Sequence, residues 1–199
     1  MSSINKTRYA ILGVLSISQK PGSGYDIKKA CDRGISFFWN ENFGHIYPVL
    51  RQMEQDGVIT KTVEENPGRP QRHVYSVTAK GHDELIAWLR RPVEHTPQRL
   101  ELPLKLTFAK MIPAETTLKE LERVMAEHQK SLAEFRQIEE QFIADEKNRR
   151  DQGYPYWLST LQYGIYDAEF RIKWCQETID RIKAYQGDQE STFHVKPED

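Results

Sequence analysis

At 199 residues, with 38% hydrophobic and 29% charged side chains and a formal net charge of −1, the chain is sized for one domain or two small ones and lacks a strong overall basic signal. No run of about 18 apolar residues occurs, which excludes a membrane-spanning helix, and MSSINKTRYA lacks the pattern of a secretory signal. The two cysteines, Cys31 and Cys175, lie in no CxxC and near no histidine at ligand spacing, so neither a metal centre nor a disulfide framework is expected, and the expected compartment is the cytoplasm. The halves differ in charge. Residues 1–92 carry 13 Lys/Arg against 9 Asp/Glu, and residues 93–199 carry 15 against 20, which fits a DNA-facing first half.

Residues 4–17, INKTRYAILGVLSI, are apolar almost all round from Tyr9 to Leu15 and predict a buried helix. It packs either in its own domain or, through Leu12, against a second subunit, with Gly13 admitting a close neighbour. Ser23 followed three residues later by Asp26 reads as a capping-box variant that starts a second helix, and Gly34 stops it. Gly22 and Gly24 form a lone GxG, weak as a nucleotide loop without a preceding strand or a third glycine. A third helix is expected over 42–56, with Asn42 as cap and Ile46, Val49, Leu50 and Met53 as its buried stripe. His45, Tyr47 and Arg51 then fall on other faces, and Pro48, opposite the carbonyl of Gly44, is expected to loosen the first turn.

Val58 to Val63 and His73 to Thr78 alternate as strands around the turn signal Asn66-Pro67-Gly68, with Tyr75 and Val77 on one face. Thr78 caps a fourth helix that runs to about Arg90. The loop between the strands carries Arg69, Gln71 and Arg72 and no acid from Pro67 to Arg72. Arginine forks match phosphate oxygens and guanine edges. Beside a helix offering Asn42, His45, Tyr47 and Arg51, the loop points to duplex DNA, with Lys6, Arg8, Lys28 and Lys29 as further cations.

The second half reads as helical. Residues 114–145 repeat Leu118, Leu121, Met125, Leu132, Phe135 and Phe142, interrupted by His128 and Glu139. Residues 155–185 place Leu158, Leu161, Ile165, Ala168, Ile172, Cys175, Ile179 and Ile182 in every core position of four heptads. A second stripe, Tyr163, Tyr166, Phe170 and Trp174, lies on another face with Trp157 nearby. A helix with two such faces has two partners, drawn from the 114–145 helix, a second subunit and the first domain; a single three-helix core is the alternative. His128 is either a satisfied core histidine or, less simply, a pH sensor. No HExxH, GxSxG or histidine pair at i, i+4 occurs, so no enzyme chemistry, metal or cofactor is expected.

The segments SGYDIKKACDRGISFFW, GHIYPVLRQMEQDGVI, PGRPQRHVYSVTAKG and RLELPLKL resemble the PadR family of bacterial transcriptional regulators, in the branch with a long helical C-terminal domain that includes AphA-like virulence activators. The resemblance covers about residues 5–110 by motif and the remainder by architecture; Pro103 stands where the family usually has an apolar residue. It implies a homodimer in which each subunit offers a winged helix to a palindromic double-stranded DNA operator while the C-terminal helices pair. Tyr25, the 42–51 segment, Arg69 and Arg72 would meet DNA. Some members, named for phenolic acids, release DNA on binding a small aromatic molecule between the two domains, and others have no known effector.

The expected fold is therefore mainly α with a small β-hairpin wing. Residues 1–91 form a winged helix-turn-helix domain, 92–100 a linker, 101–186 an antiparallel, coiled-coil-like dimerisation and effector domain, and 187–199 a polar tail. The candidate DNA contacts are Ser23, Tyr25, Lys28, Asn42, His45, Tyr47, Arg51, Arg69, Gln71 and Arg72. The candidate dimer contacts are Leu12, Leu158, Leu161, Ile165, Ile172, Ile179 and Ile182, and the candidate effector pocket is Trp157, Tyr163, Tyr166, Phe170 and Trp174. The expected activity is sequence-specific repression; the alternative is a winged-helix protein-interaction module without specific DNA binding.

Overall fold

The structure, a computed structural model, describes residues 6–18, 20–35, 38–39, 43–64, 71–94 and 99–193, with the backbone alone at 33–34, 43–45 and 187–193. The chain divides into two compact units, residues 1–96 and 97–199. In the first, helices α1 (Lys6–Ser18), α2 (Gly24–Gly34) and α3 (Phe43–Gln55) precede a hairpin of β1 (Ile59–Glu64) and β2 (Arg72–Val77), and α4 (Ala79–Leu89) follows. β1 and β2 are antiparallel in the register Ile59 to Val77 through Glu64 to Arg72. Beyond β2 the chain at Gly22 adds one further bridge to Tyr75.

The elements begin and end where local chemistry dictates. The Ser23 hydroxyl accepts the Asp26 amide proton while the Asp26 carboxylate accepts from the Ser23 amide, which closes the capping box of α2. α3 ends at a reversed turn. Gly57 adopts φ 71°, a left-handed conformation that costs glycine little, and the Val58 amide reaches back 3.1 Å to the Met53 carbonyl. Pro48 is carried inside α3, where it removes only the one hydrogen bond that its nitrogen cannot donate.

The core of this unit draws Ile11, Leu12 and Leu15 from α1, Ile27 and Cys31 from α2, and Ile46, Leu50 and Met53 from α3, closed by Val58, Ile59, Tyr75 and Leu85. Each large aliphatic side chain so removed from water contributes roughly 1.5–3 kcal/mol. Leu12 has no accessible surface left, so it is spent within its own domain and is not a subunit contact. A Cβ built on Gly13 meets nothing within 4 Å, so no helix among the described residues uses that glycine for close approach. Arg8 also faces inward. It makes a bidentate pair with Glu84 at 2.5 and 2.9 Å and a further pair with Asp56, which ties α1 to α4 and to the end of α3 and removes Arg8 from the DNA-facing set.

The second unit contains α5 (Glu101–Thr107), a single 3-10 turn (Ala109–Met111), α6 (Ala114–Ala144), α7 (Glu146–Arg150) and α8 (Tyr154–Phe193). Pro103 falls in the first turn of α5, where a helix has no use for its missing N–H. α6 and α8 run antiparallel, held by Glu122 to Lys183, Arg136 to Glu169 and Glu139 to Gln162. Leu121, Cys175 and Ile179 form the centre of their seam, with Leu118, Met125 and Ile182 packed beside them. α8 continues to Phe193 rather than stopping at 186, because a polar composition rich in Gln and Glu does not itself end a helix.

The aliphatic seam of α8 is thus consumed by α6 of the same chain. Ile165 and Ile179 are 5% and 2% exposed and offer nothing to a partner, while Leu158, Leu161, Ile172 and Ile182 are half-buried along the same face. The second stripe behaves oppositely: Tyr163, Tyr166 and Phe170 are exposed, Trp157 is partly so, and only Trp174 packs against the seam. Tyr163, Tyr166 and Phe170 are thus outside the seam core that Trp174 joins.

Candidate nucleic-acid interface

α2, α3 and the hairpin converge on one cleft of about 610 Å3, lined by Ser23, Gly24 and Tyr25 of the α2 start, Tyr47, Arg51 and Glu54 of α3, and Lys61, Arg72, His73 and Tyr75 of the strands. Of the expected DNA contacts, Ser23, Tyr25, Tyr47, Arg51 and Arg72 come together here. Tyr25 and Tyr47 project into solvent at 65% and 55% exposure, an unusual state for rings with no covering element. Tyr47 lies over Gly24, where a Cβ would come 2.9 Å from the ring.

Sequence reasoning missed Lys61, His73 and Tyr75 as members of this set. The signal was available in the strand period, since Lys61 pairs with Tyr75 and Val63 with His73 on the ribbon face that begins with buried Ile59 and half-buried Val77. Burial holds the Tyr75 phenol above its ordinary value and Glu54 adds to the shift, so the ring is the neutral floor of the cleft.

The cations fall into two groups. Arg51 and Lys61 make no ion pair among the described residues and remain available to an anion. Arg72 is engaged. It donates to Asp26 at 2.8 Å and to its cross-strand partner Glu64 at 2.9 Å. Burial alone would raise the Asp26 carboxyl, but bonds from Ser23 and the charge of Arg72 hold it below its ordinary value. Lys28 pairs with Asp32 one helical turn on, and Lys6 with Glu94. Gln71 is exposed just before the return strand. Asn42 and Arg69 lie outside the described residues, as does the side chain of His45, whose backbone is in the first turn of α3.

No group of three or more His, Cys, Asp or Glu among the described residues is placed to hold a metal ion. No helix among them is long and apolar enough to cross a membrane.

Three helices, a two-stranded hairpin and a following helix, with the exposed aromatic and cationic side chains gathered where α2, α3 and the hairpin meet, define a winged-helix DNA-binding protein with an appended helical domain. Residues 11–87 match the family described as Transcriptional regulator PadR-like family, and residues 98–183 match the one described as Virulence activator alpha C-term. The chain belongs to the PadR-like transcriptional regulators, in the branch that carries this second domain. It is 29% identical over 185 residues to a probable transcriptional regulator of Mycobacterium tuberculosis, a match covering 88% of this chain and 96% of that one. It is 32% identical over 90 residues to the negative transcriptional regulator PadR of Bacillus subtilis, 45% of this chain and 47% of the relative. The structure of that protein with operator DNA superposes with a TM-score of 0.74 at 23% identity, covering 88% of this chain and 98% of that one; it has also been solved with p-coumaric acid, at a TM-score of 0.68. The Vibrio cholerae virulence activator AphA aligns with a TM-score of 0.71 at 27% identity, over 89% of this chain and 98% of its own.

Proposed function

We propose that the chain is a homodimeric repressor that reads a palindromic operator through the cleft face of its first unit. One observation carries the reading: two exposed tyrosines and two cations without an ion-pair partner among the described residues, Arg51 and Lys61, share the surface where α3 and the hairpin meet. In this reading α3 enters the major groove, Tyr47 and Arg51 reach base edges, and Tyr25 and Lys61 engage the flanking backbone. Asn42, His45, Arg69 and Gln71 complete the set, and two-fold symmetry spaces the half-sites by about 34 Å or a multiple of it.

The second copy docks on the outer face of α8. Tyr156, Tyr163, Tyr166 and Phe170 lie opposite the α6 seam and are all more than half exposed. From residue 156 to 170 they extend about 21 Å along the helix, a length of apolar surface that a lone chain rarely leaves open.

A small aromatic acid releases the DNA. Its seat, in place of the α8 stripe, is a cleft of about 360 Å3 lined by Trp39, Trp88, Arg91 and the paired Lys6 and Glu94, with Arg91 to meet the carboxylate. Tyr9 stacks on Trp88 at 4.6 Å and 6°, which sets one flat wall.

An anisotropy titration with the DNA upstream of its own gene, repeated at several salt concentrations, tests the main reading. Repression requires binding that is selective for that sequence and steeply salt-dependent. Equal, weak binding to any duplex would instead favour a protein-interaction module. Adding p-coumaric acid to the complex tests the release.

A further inference from the structure

Arg72 occupies the last rung of the hairpin ladder, opposite Glu64. Its Nε lies 2.9 Å from Glu64, and its Nη2 lies 2.8 Å from Asp26 Oδ2, 46 residues back on α2. The same oxygen accepts the Ser23 amide at 2.8 Å and the Ser23 hydroxyl at 2.7 Å, so Asp26 is fixed within the capping box rather than free to follow the arginine. Three residues further along β2, Gly22 and Tyr75 exchange backbone hydrogen bonds at 3.0 and 2.9 Å. The hairpin is therefore tied to the start of α2 at two points along one strand. A single tie would leave a hinge; two fix an angle.

Charge points the same way. Arg72 is shared between two carboxylates, and Lys29 also acts on Asp26, so the arginine's charge is already matched and it is a poor seat for a phosphate, whereas Arg51 and Lys61 nearby make no ion pair among the described residues. Drawing Arg72 onto DNA would take the arginine away from both Asp26 and Glu64 beside the phosphates.

We propose that Arg72 and Asp26 form a strut that sets the pitch of the hairpin against α2 and α3, which makes Arg72 a positioning residue for DNA binding rather than a phosphate ligand. Its effect on DNA rests on the operator-binding reading above; the strut itself rests on the geometry alone.

The sign of one substitution separates the two roles. Asp26→Asn removes a negative charge from the DNA face. If Arg72 were a phosphate ligand held back by Asp26, this variant would bind operator more tightly. The strut predicts weaker binding, by about three- to fivefold, because half-exposed ion pairs are individually weak. Arg72→Ala should weaken binding by a similar factor and leave the salt slope unchanged, whereas a lost phosphate contact lowers the slope by about one. The double variant should be no worse than either single one, as expected for two ends of one link. Glu64→Gln, which leaves the capping box untouched, should show the same direction if Asn at 26 disturbs the helix start. Tighter binding of Asp26→Asn, or a lower slope for Arg72→Ala, overturns the proposal. Hydrogen exchange without DNA gives an independent reading. The Gly22 and Tyr75 amides should exchange several-fold faster in Arg72→Ala, and unchanged exchange would sink the strut. A wild-type chain that ignores DNA would defeat the operator-binding reading and the positioning role with it, while the exchange result would still decide the strut.

Discussion

A Cβ placed on Gly24 would lie 2.9 Å from Cε1 of Tyr47, so the first residue of α2 is the floor on which the α3 tyrosine rests. The ring is the mobile end of an exposed side chain, and it would be the ring that moved. Gly24→Ala is therefore expected to leave the denaturation midpoint within about 0.5 kcal/mol of wild type. Operator affinity should fall roughly tenfold as Tyr47 is displaced. Anisotropy and urea unfolding on the same preparation check both halves, and unchanged affinity would remove Tyr47 from the interface.

Gly81 faces a harder obstacle. A Cβ there would stand 2.1 Å from the Val58 carbonyl oxygen and 3.2 Å from Leu12, and the first of these is backbone. α4 could accept Ala only by lifting away from Val58, just before β1, and from the core around Leu12. Gly81→Ala should cost about 2–3 kcal/mol or more, read as a lower urea midpoint at unchanged slope. A midpoint equal to wild type would mean that α4 packs elsewhere in solution.

These two glycines show the boundary of what the sequence discloses. Periodicity placed the helices and the hairpin, because Ile46, Leu50 and Met53 or Leu121, Met125 and Ile179 are fixed by which face must leave water. The capping box at Ser23 was likewise local and legible. Relations between distant residues were not. Arg72 looked like a free cation because Asp26, its partner, lies 46 residues away. Arg8 looked like a surface charge until Glu84 and Asp56 closed around it. A heptad says that a seam has a partner without saying which, and so Ile165 and Ile179, buried by α6, passed as dimer contacts.

Acid should loosen the first unit. The Arg8 guanidinium, helped by Gln52, holds the Asp56 carboxyl below its ordinary value of 3.8, and Asp26 is held below it as well. In the folded state both groups release their protons more readily than in the unfolded chain. Their contribution is therefore complete above about pH 4 and is lost as pH falls through the lower, folded values. Arg8→Met should lower stability at neutral pH and flatten the Asp56 share of this acid limb. Unfolding curves of the two proteins below pH 4 that run parallel would show that Asp56 is not linked to Arg8.

The outer face of α8 can be tested without touching the core. Tyr163 and Phe170 are 59% and 65% exposed, so their replacement by Asp leaves the seam with α6 intact. If a second copy covers them, the double variant should sediment as a folded monomer with unchanged helicity. It should also bind a full operator far more weakly, since the two half-sites would no longer be engaged together. A variant that sediments like wild type would move the dimer contact to another surface.

His128 tests whether the α6–α8 seam senses protons. It sits half-buried at a heptad core position, facing Arg171 and Asp167 of α8 and Glu127 of its own helix. Burial lowers its affinity for a proton and Arg171 lowers it further, which outweighs the two carboxylates, so the folded value lies below the ordinary 6.5. Between the folded value and 6.5 the unfolded chain binds more protons than the native one. The stability of the second unit must then fall as pH drops below about 6.5, and go on falling until the folded value is passed. His128→Leu keeps an apolar group at the same core position and removes the titration. Amide exchange of α6 and α8 should speed up between about pH 7.5 and about pH 5.5 in wild type, after correction for the intrinsic rate, and should not in the variant. Equal pH dependence in both proteins would place the sensitivity elsewhere in the seam and leave His128 a neutral packing residue.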